Sequence, residues 1–195
     1  MLKTSALVMA CVLGLLTACQ SRPVVRDAAA ASAGIELREP RPGLFTAGQP
    51  GAGDWRGIAA RGVTTVVNLR TASEMQGRDE AAEVRAAGMH YIEIPVAGAE
   101  GITDANARLL RDALTAAGGP VLVHCASANR AGGLLALSEA RYGGAAPEQA
   151  IALGRKAGMA STEARVRALL ESPVEACAST TSAAPGTDSR TGRCP

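Results

Sequence analysis

The sequence predicts an α/β fold with three layers, in which a mostly parallel central sheet is flanked by helices on both faces. The first observation is that short apolar runs, rich in β-branched residues, alternate along the chain with longer amphipathic or alanine-rich stretches. Such alternation is typical of strands that alternate with helices. The second observation is that the runs are apolar at most positions, as the buried strands of a parallel sheet require.

Each expected strand is bounded by turn residues. Residues 43–47 form a short extended stretch, and residues 64–69 are β-branched and apolar. Residues 90–96 alternate between polar and apolar side chains, whereas residues 120–124 form an apolar run. We therefore expect the last of these strands to be central in the sheet.

The expected helices have helical composition and mostly stop at or near glycine. They cover residues 52–61, 73–87, 104–117, 130–142, 147–157 and 161–170. One face of the third helix is apolar and is expected to pack on the core, and it consists of Leu109, Leu110, Ala113 and Leu114. The fourth helix is expected to face the core with Leu134, Leu135 and Leu137.

Length and composition restrict the class of protein. The 195 residues suit one domain of ordinary size, and 47% hydrophobic with 19% charged residues is a globular balance. Aromatic residues make up only 2% and the net charge is +2, so the sequence has neither the stacking platforms nor the basic footprint of a nucleic-acid-binding protein. With two histidines and no Cys-x-x-Cys pair, we expect no metal site and no cofactor.

The first residues have the pattern of a targeting segment. Lys3 precedes an apolar run over 6–16, which has the length of a signal-peptide core and is too short to span a membrane. The run ends in Leu16-Thr17-Ala18-Cys19, which resembles a bacterial lipobox and implies that Cys19 carries lipid. The alternative is an ordinary cleaved signal with an unrelated cysteine. The resemblance to bacterial lipoproteins implies a lipid anchor in the bacterial cell envelope that faces the periplasm, and Gln20 after the cysteine implies, by the same analogy, the outer membrane rather than the inner one.

These features divide the chain into four segments. Residues 1–18 are expected to be a removed signal peptide, and 19–41 the lipidated cysteine with a flexible tether. Residues 42–172 are the expected domain, and 173–195 a disordered tail. Only one of the five cysteines then lies in the domain; the five are Cys11, Cys19, Cys125, Cys177 and Cys194. Whether the last two pair is left open.

A pattern typical of a reactive site follows the expected central strand. The strand delivers Cys125 into a loop of small residues, and Arg130 opens the next helix. Ligands of open α/β sheets bind at the carboxyl ends of strands, and loop amides beside a helix N-terminus form an anion site. The same field favours the cysteine thiolate, and an arginine fork matches a tetrahedral oxyanion. The alternative is a buried structural cysteine with a surface arginine.

Four motifs carry a resemblance to a known family. They are LFTAGQP at 44–50, VVNLR at 66–70, IPV at 94–96 and the His124-Cys125 loop ending at Arg130. Over residues 44–170 the chain resembles the cysteine-dependent phosphatases, and more closely the bacterial protein-tyrosine-phosphatase-like and dual-specificity-phosphatase-like proteins. That group includes the domain found with β-lactamase-like hydrolases.

The resemblance implies a mechanism in which Cys125 attacks the phosphorus of a phosphomonoester as a thiolate. The phosphate would be held by Ala126, Ser127, Ala128, Asn129 and Arg130. His124 would order the loop and support the thiolate, and an acid after the 94–96 strand would protonate the leaving oxygen. The candidates for that acid are Asp104 and Glu100. The expected partners are a phosphorylated substrate or small oxyanion, and the membrane through the lipid.

The loop departs from the family pattern at three points. Four residues separate Cys125 from Arg130, where phosphatases usually have five. The usual central glycine is Ala128, and the usual hydroxyl residue after the arginine is Ala131. A four-residue loop is similar to that of rhodanese-type sulfurtransferases, in which the cysteine carries a persulfide. Sulfur transfer through Cys125 and a non-catalytic phosphate-binding module are therefore the alternative functions.

Overall fold

A computed structural model describes residues 34–172. The expected signal peptide, Cys19, most of the expected tether and the expected tail with Cys177 and Cys194 lie outside the described residues. The strands are β1 (Arg38–Arg41), β2 (Leu44–Ala47), β3 (Thr65–Asn68), β4 (His90–Glu93) and β5 (Val121–His124). The helices are α1 (Trp55–Ala60), α2 (Ala72–Met75), α3 (Glu80–Ala86), α4 (Asp104–Ala116), α5 (Asn129–Tyr142), α6 (Pro147–Lys156) and α7 (Glu163–Glu171).

The five strands form one mixed, mostly parallel sheet in the order β1-β2-β5-β3-β4. Strand β5 is central, as expected, and it pairs in parallel with β2 and β3. In this register Val123 lies opposite Thr46 on one side and Val67 on the other. The carboxyl ends of β2, β5 and β3 therefore meet at one edge of the sheet, and the loops that leave them are neighbours.

Two apolar clusters lie on the two faces of the sheet, because alternate residues of a strand point to opposite sides. Val121 and Val123 of β5 belong to one cluster, together with buried residues of α4 to α7. Leu122 belongs to the other, with Trp55 of α1 and Val84 of α3. Helices thus cover both faces, which confirms the three-layer α/β prediction.

Strand β1 is a structural element that the sequence reading missed. Its residues fall in the stretch expected to be tether, yet Arg38 and Arg41 pair with β2 in an antiparallel ladder. Three of the four residues of this edge strand are charged and the fourth is a proline, so it lacks the alternation of apolar residues that indicates a strand. The folded part of the chain therefore begins before residue 42.

Two helix predictions were wrong in detail. The single helix expected over 73–87 is two helices, because Gln76 and Gly77 adopt left-handed backbone angles, with φ of 50° and 78°, which an α-helix cannot contain. In α4, Leu110 is completely buried but Leu109 is 53% exposed. Neighbouring residues are about 100° apart around a helix, and in α4 this angle turns Leu109 towards solvent while Leu110 faces the core.

Among the described residues no helix is long and apolar enough to cross a membrane.

Candidate active site

Cys125 is the first residue beyond β5, at the edge where three parallel strands end. Its side chain is free and only 1% exposed. It belongs to the same apolar cluster as Val123, two residues earlier. The Cys125 amide donates to the Ala47 carbonyl at 3.4 Å, so the end of β2 fixes the backbone from which the thiol projects.

The loop after Cys125 is held against the segment that follows β2. The Gln49 amide donates to the Ala126 carbonyl at 3.2 Å, and Ser127 forms a bridge with Gly48. A side chain at Gly48 would place its Cβ 3.1 Å from the Ala126 carbonyl oxygen, so a glycine suits this close approach. Ala128 then turns the chain into α5 with a φ of 68°, a conformation that glycine adopts more easily.

The side chain of Asn129 anchors the start of α5 to the segment before α7. Its Oδ1 accepts from the Ala160 amide at 2.8 Å and from the Thr162 hydroxyl at 2.9 Å. Its Nδ2 donates to Ser161 at 2.7 Å. The Asn129 side chain is therefore engaged on the outer side of the helix, and only its backbone is available to the loop.

Arg130, in the first turn of α5, points its guanidinium at a carboxylate. It donates to both oxygens of Glu74, at 2.9 and 2.6 Å, and to the Val96 carbonyl at 2.6 Å. The hydrogen bonds that Arg130 donates to Glu74 raise the pKa of Arg130, against the opposing effect of burial, and the nearby Cys125 adds to the increase. The arginine thus stands beside the thiol in a fixed orientation.

Glu74 is a site residue that sequence reasoning missed. Its carboxylate caps the start of α2 through the Thr71 amide at 2.9 Å. The hydrogen bond from Arg130 lowers the pKa of Glu74 to about 2, against the effect of burial and with help from Thr71. The Thr71-x-x-Glu74 spacing is a recognisable capping box, but nothing local indicates a partner 56 residues away.

The side chain of His124 lies on the opposite face of the sheet from Cys125, since consecutive strand residues alternate. It is completely buried and its Nε2 lies 2.9 Å from Oε1 of Glu80. The ring also packs edge-on against Trp55, with 6.0 Å between centroids. The angles of this contact do not meet those of a hydrogen bond, so the pair is defined by its short distance and by the burial of both side chains.

Glu80 is the centre of a buried polar network and is a second residue that sequence reasoning missed. Its side chain is completely buried, it accepts from Nε2 of Gln49, and it lies 3.4 Å from the Tyr91 hydroxyl and 3.7 Å from Arg78. Burial raises the pKa of Glu80, but His124, Gln49 and Arg78 outweigh that effect, so the net pKa is lowered. The lowered pKa favours the ionised form of this buried carboxylate.

Arg70 joins this network to Glu74. Its Nη1 donates to Oε1 of Gln49 at 2.6 Å, and its Nη2 donates to the Glu74 carbonyl at 2.5 Å. The chain of contacts therefore runs from His124 through Glu80, Gln49 and Arg70 to the helix that carries the partner of Arg130. Arginines at strand ends are usually solvated, but the side chain of Arg70 is only 18% exposed.

The two carboxylates expected to supply the general acid are bound elsewhere. Asp104 accepts from Nε of Arg141 at 3.0 Å, and Arg141 stands eleven positions beyond Arg130 on α5, which is about 16 Å along the helix. Glu100 is exposed and lies 3.8 Å from Arg165. The geometry thus gives no support to Asp104 as an acid at Cys125, because Asp104 binds near the C-terminal end of α5 and Cys125 precedes its N-terminal end.

Comparison with known proteins places this geometry in a family. Residues 36–142 match the family model described as the phosphatase-like domain of beta-lactamase hydrolase-like protein. The beta-lactamase hydrolase-like protein of Xylella fastidiosa is 38% identical over 119 residues, which cover 59% of this chain and 27% of that protein. The chain thus matches about a quarter of the length of this curated relative.

Solved structures agree on the fold. A protein of Shewanella putrefaciens CN-32 is 25% identical with a TM-score of 0.57, covering 74% of this chain and 92% of that one. TpbA of P. aeruginosa is 26% identical with a TM-score of 0.56, covering 69% of this chain and 84% of that one. A variant of TpbA has also been solved in complex with pTyr. The fold is that of the cysteine-dependent phosphatases, and the chain belongs to the family of phosphatase-like domains of beta-lactamase hydrolase-like proteins.

Proposed function

We propose that this domain hydrolyses phosphomonoesters through a Cys125 thiolate. The observation that carries the proposal is the buried thiol at the end of the central strand, with Arg130 oriented beside it at the start of α5. The amides of residues 126–130 and the N-terminus of a 14-residue helix favour an anion there. The family and the phosphatase fold support the same chemistry.

In the proposed reaction the sulfur of Cys125 attacks phosphorus, and an S–P bond forms as the bond to the leaving oxygen breaks. Water then hydrolyses the phosphocysteine to inorganic phosphate and regenerates the thiolate. Arg130 and the loop amides hold the equatorial oxygens throughout. Since Asp104 is hydrogen-bonded to Arg141 and Glu100 is exposed, with a contact of 3.8 Å to Arg165, neither acid is positioned at Cys125, and we expect substrates whose leaving group needs little protonation, such as aryl phosphates.

Sulfur transfer is the second candidate, and two observations favour it. The loop has four residues between Cys125 and Arg130, and the expected acids are engaged at a distance. In this reaction the Cys125 thiolate takes the outer sulfur of thiosulfate, forming an S–S bond and releasing sulfite. Cyanide then accepts that sulfur as thiocyanate and restores the thiolate. No leaving group requires a proton.

Paired assays separate the candidates. We would measure phosphate release from an aryl phosphate and thiocyanate formation from thiosulfate and cyanide. Each assay would use the wild type, Cys125→Ser, Arg130→Lys and the control Arg155→Lys, whose parent arginine forms a surface ion pair with Glu163. We expect phosphate release that is lost in Cys125→Ser and reduced in Arg130→Lys but kept in the control.

Other outcomes overturn the leading proposal. Phosphate release that survives Cys125→Ser would exclude a thiolate mechanism. Thiocyanate formation that depends on Cys125, without phosphate release, would establish sulfur transfer instead. If both assays are silent while phosphate still raises the melting temperature, the domain is a binding module.

We also propose that Cys19 carries lipid and holds the domain at the periplasmic side of the bacterial cell envelope. The support is the lipobox-like sequence at 16–19. Metabolic labelling with a radioactive fatty acid would detect the lipid in the wild type. Label that persists in Cys19→Ser would contradict the proposal.

A further inference from the structure

We propose that Glu80 is a positioning residue for the Cys125 loop, because it holds both chain neighbours of Cys125 from the far side of the sheet. It contacts His124 directly and reaches Ala126 through Gln49. The inference rests on the proposed function only in taking Cys125 as the reactive thiol. It does not depend on whether the reaction transfers phosphorus or sulfur.

The first route runs through His124. Nε2 of this histidine lies 2.9 Å from Oε1 of Glu80, and both side chains are completely buried. A buried carboxylate fixes the orientation of an imidazole and the nitrogen that carries its proton. Because His124 immediately precedes Cys125, a fixed ring holds the end of β5 from which the thiol projects.

The second route runs through Gln49. Its side chain donates to Oε2 of Glu80, and Arg70 donates to its Oε1 at 2.6 Å. The backbone amide of the same residue donates to the Ala126 carbonyl at 3.2 Å. The side chain of Gln49 is thus held at both ends, and its main chain holds the residue after Cys125.

Glu80 is suited to this role because its side chain is completely buried, so only the protein groups around it can stabilise its charge. Buried carboxylates are costly unless they are paired and hydrogen-bonded. The groups that face Glu80 and His124 are Arg78 and Gln49 from the loops, Tyr91 from β4, and Trp55 of α1, whose indole donates to Glu83. A neutral side chain at position 80 would weaken both routes together, and the backbone on both sides of Cys125 would be held less firmly.

The test is the rate at which iodoacetamide alkylates Cys125 in the full-length chain, followed by peptide mass spectrometry from pH 5 to 9. Trypsin places Cys125 in the peptide 112–130, and a short unstructured peptide with one free cysteine, added to each reaction, serves as the reference. The variants are Glu80→Gln, Gln49→Ala and the control Glu83→Gln. Glu83 lies on the same helix and pairs with Arg78 and Trp55 instead of His124.

We expect Glu80→Gln to slow the alkylation of Cys125 several-fold at neutral pH, because the loop that favours the thiolate loses its fixed position, with the added reference peptide unchanged. Gln49→Ala should give a smaller slowing, since it removes one route, and Glu83→Gln should match the wild type. Unfolding gives the opposite sign, because Cys125 is 1% exposed in the fold and would react faster. A wild-type rate profile in both Glu80→Gln and Gln49→Ala would overturn the proposal.

A second measurement needs no variant. The chain has only two histidines, His90 and His124, so their imidazole nitrogens are readily assigned by NMR, with the exposed His90 as reference. We expect a protonated Nε2 in His124 that exchanges slowly with water. An unprotonated Nε2 would show that Glu80 does not hold the ring. Either measurement can fail while Cys125 remains catalytically active, so it tests Glu80 and not the proposed reaction.

Discussion

The two sides of the sheet at the end of β5 are built from different chemistry. On one side Cys125 lies among apolar side chains that include Val96 and Leu134. On the other side His124, only one residue away, lies in a buried network of charged and polar groups centred on Glu80. Apolar contacts tolerate many partners of suitable volume, whereas a buried carboxylate tolerates only those that satisfy it. We therefore expect the polar side, around His124 and Glu80, to tolerate fewer substitutions than the apolar side around Cys125.

We expect the largest loss of stability from a substitution in the buried polar network. Glu80→Leu leaves His124, Gln49 and Arg78 without their common acceptor, and we expect it to lower the free energy of unfolding by about 4 kcal/mol. Urea denaturation would measure it. A loss below about 1 kcal/mol would mean that water or rearranged side chains replace the carboxylate.

We expect the next largest loss of stability from a substitution in the apolar cluster that contains Cys125. Leu110→Ala removes a completely buried side chain, and we expect a loss of about 3 kcal/mol in the free energy of unfolding. The matched control is Leu109→Ala in the same helix, which removes a side chain that is 53% exposed. The control should change stability by less than about 0.5 kcal/mol. Equal losses in the two variants would contradict the packing of α4.

A smaller effect sharpens the comparison within the network. The Tyr91 hydroxyl accepts from Nδ2 of Asn68 at 2.8 Å, and burial raises the pKa of this tyrosine above its usual value. Tyr91→Phe leaves a buried donor unpaired, so we expect a loss of about 1 kcal/mol by urea denaturation. No change in stability would place Tyr91 outside the network that carries Glu80.

The smallest effect concerns pH at the rim of the site. The pKa of Glu74 is lowered from 4.5 to about 2 by the hydrogen bond from Arg130, against the effect of burial. Its folded pKa is depressed, so the stability from this pair is present above pH 4.5 and is lost as the pH falls towards 2. Glu74→Gln should therefore flatten the decline of stability in that window, with a small cost at neutral pH because the pair is partly exposed.

Urea midpoints at several pH values would measure this effect. A variant whose stability declines with acid as steeply as the wild type would show that Glu74 is not the group that titrates.

Much of the fold could be predicted from the sequence because apolar runs and glycines act locally. The run at 120–124 indicated the central strand. The predicted fold class and family were likewise confirmed. The prediction of one helix over 73–87 failed because the helical composition concealed the turn at Gln76-Gly77. Leu109 was placed on the core face because it is apolar, but it faces solvent. Strand β1 was missed because this edge strand has no apolar face.

The candidate site was less accessible to sequence reasoning. Cys125 and Arg130 stand on one strand–loop–helix unit, so their spacing indicates an anion site. The roles expected for them stay predictions that the assays above address. In the sequence, Glu74 and Glu80 are indistinguishable from ordinary charged residues of a helix surface, because their partners lie 56 and 44 positions away.

The sequence by itself determined the α/β class, the central strand and the single cysteine of the described residues 34–172. These follow from periodicity and turn residues, which are properties of neighbouring positions. Only the tertiary structure decided that Arg130 meets Glu74, that His124 meets Glu80 and that Asp104 belongs to Arg141. The attraction between two charges depends on their distance in space. That distance is set by which helices and strands pack together, so the sequence does not show which charged residues will pair.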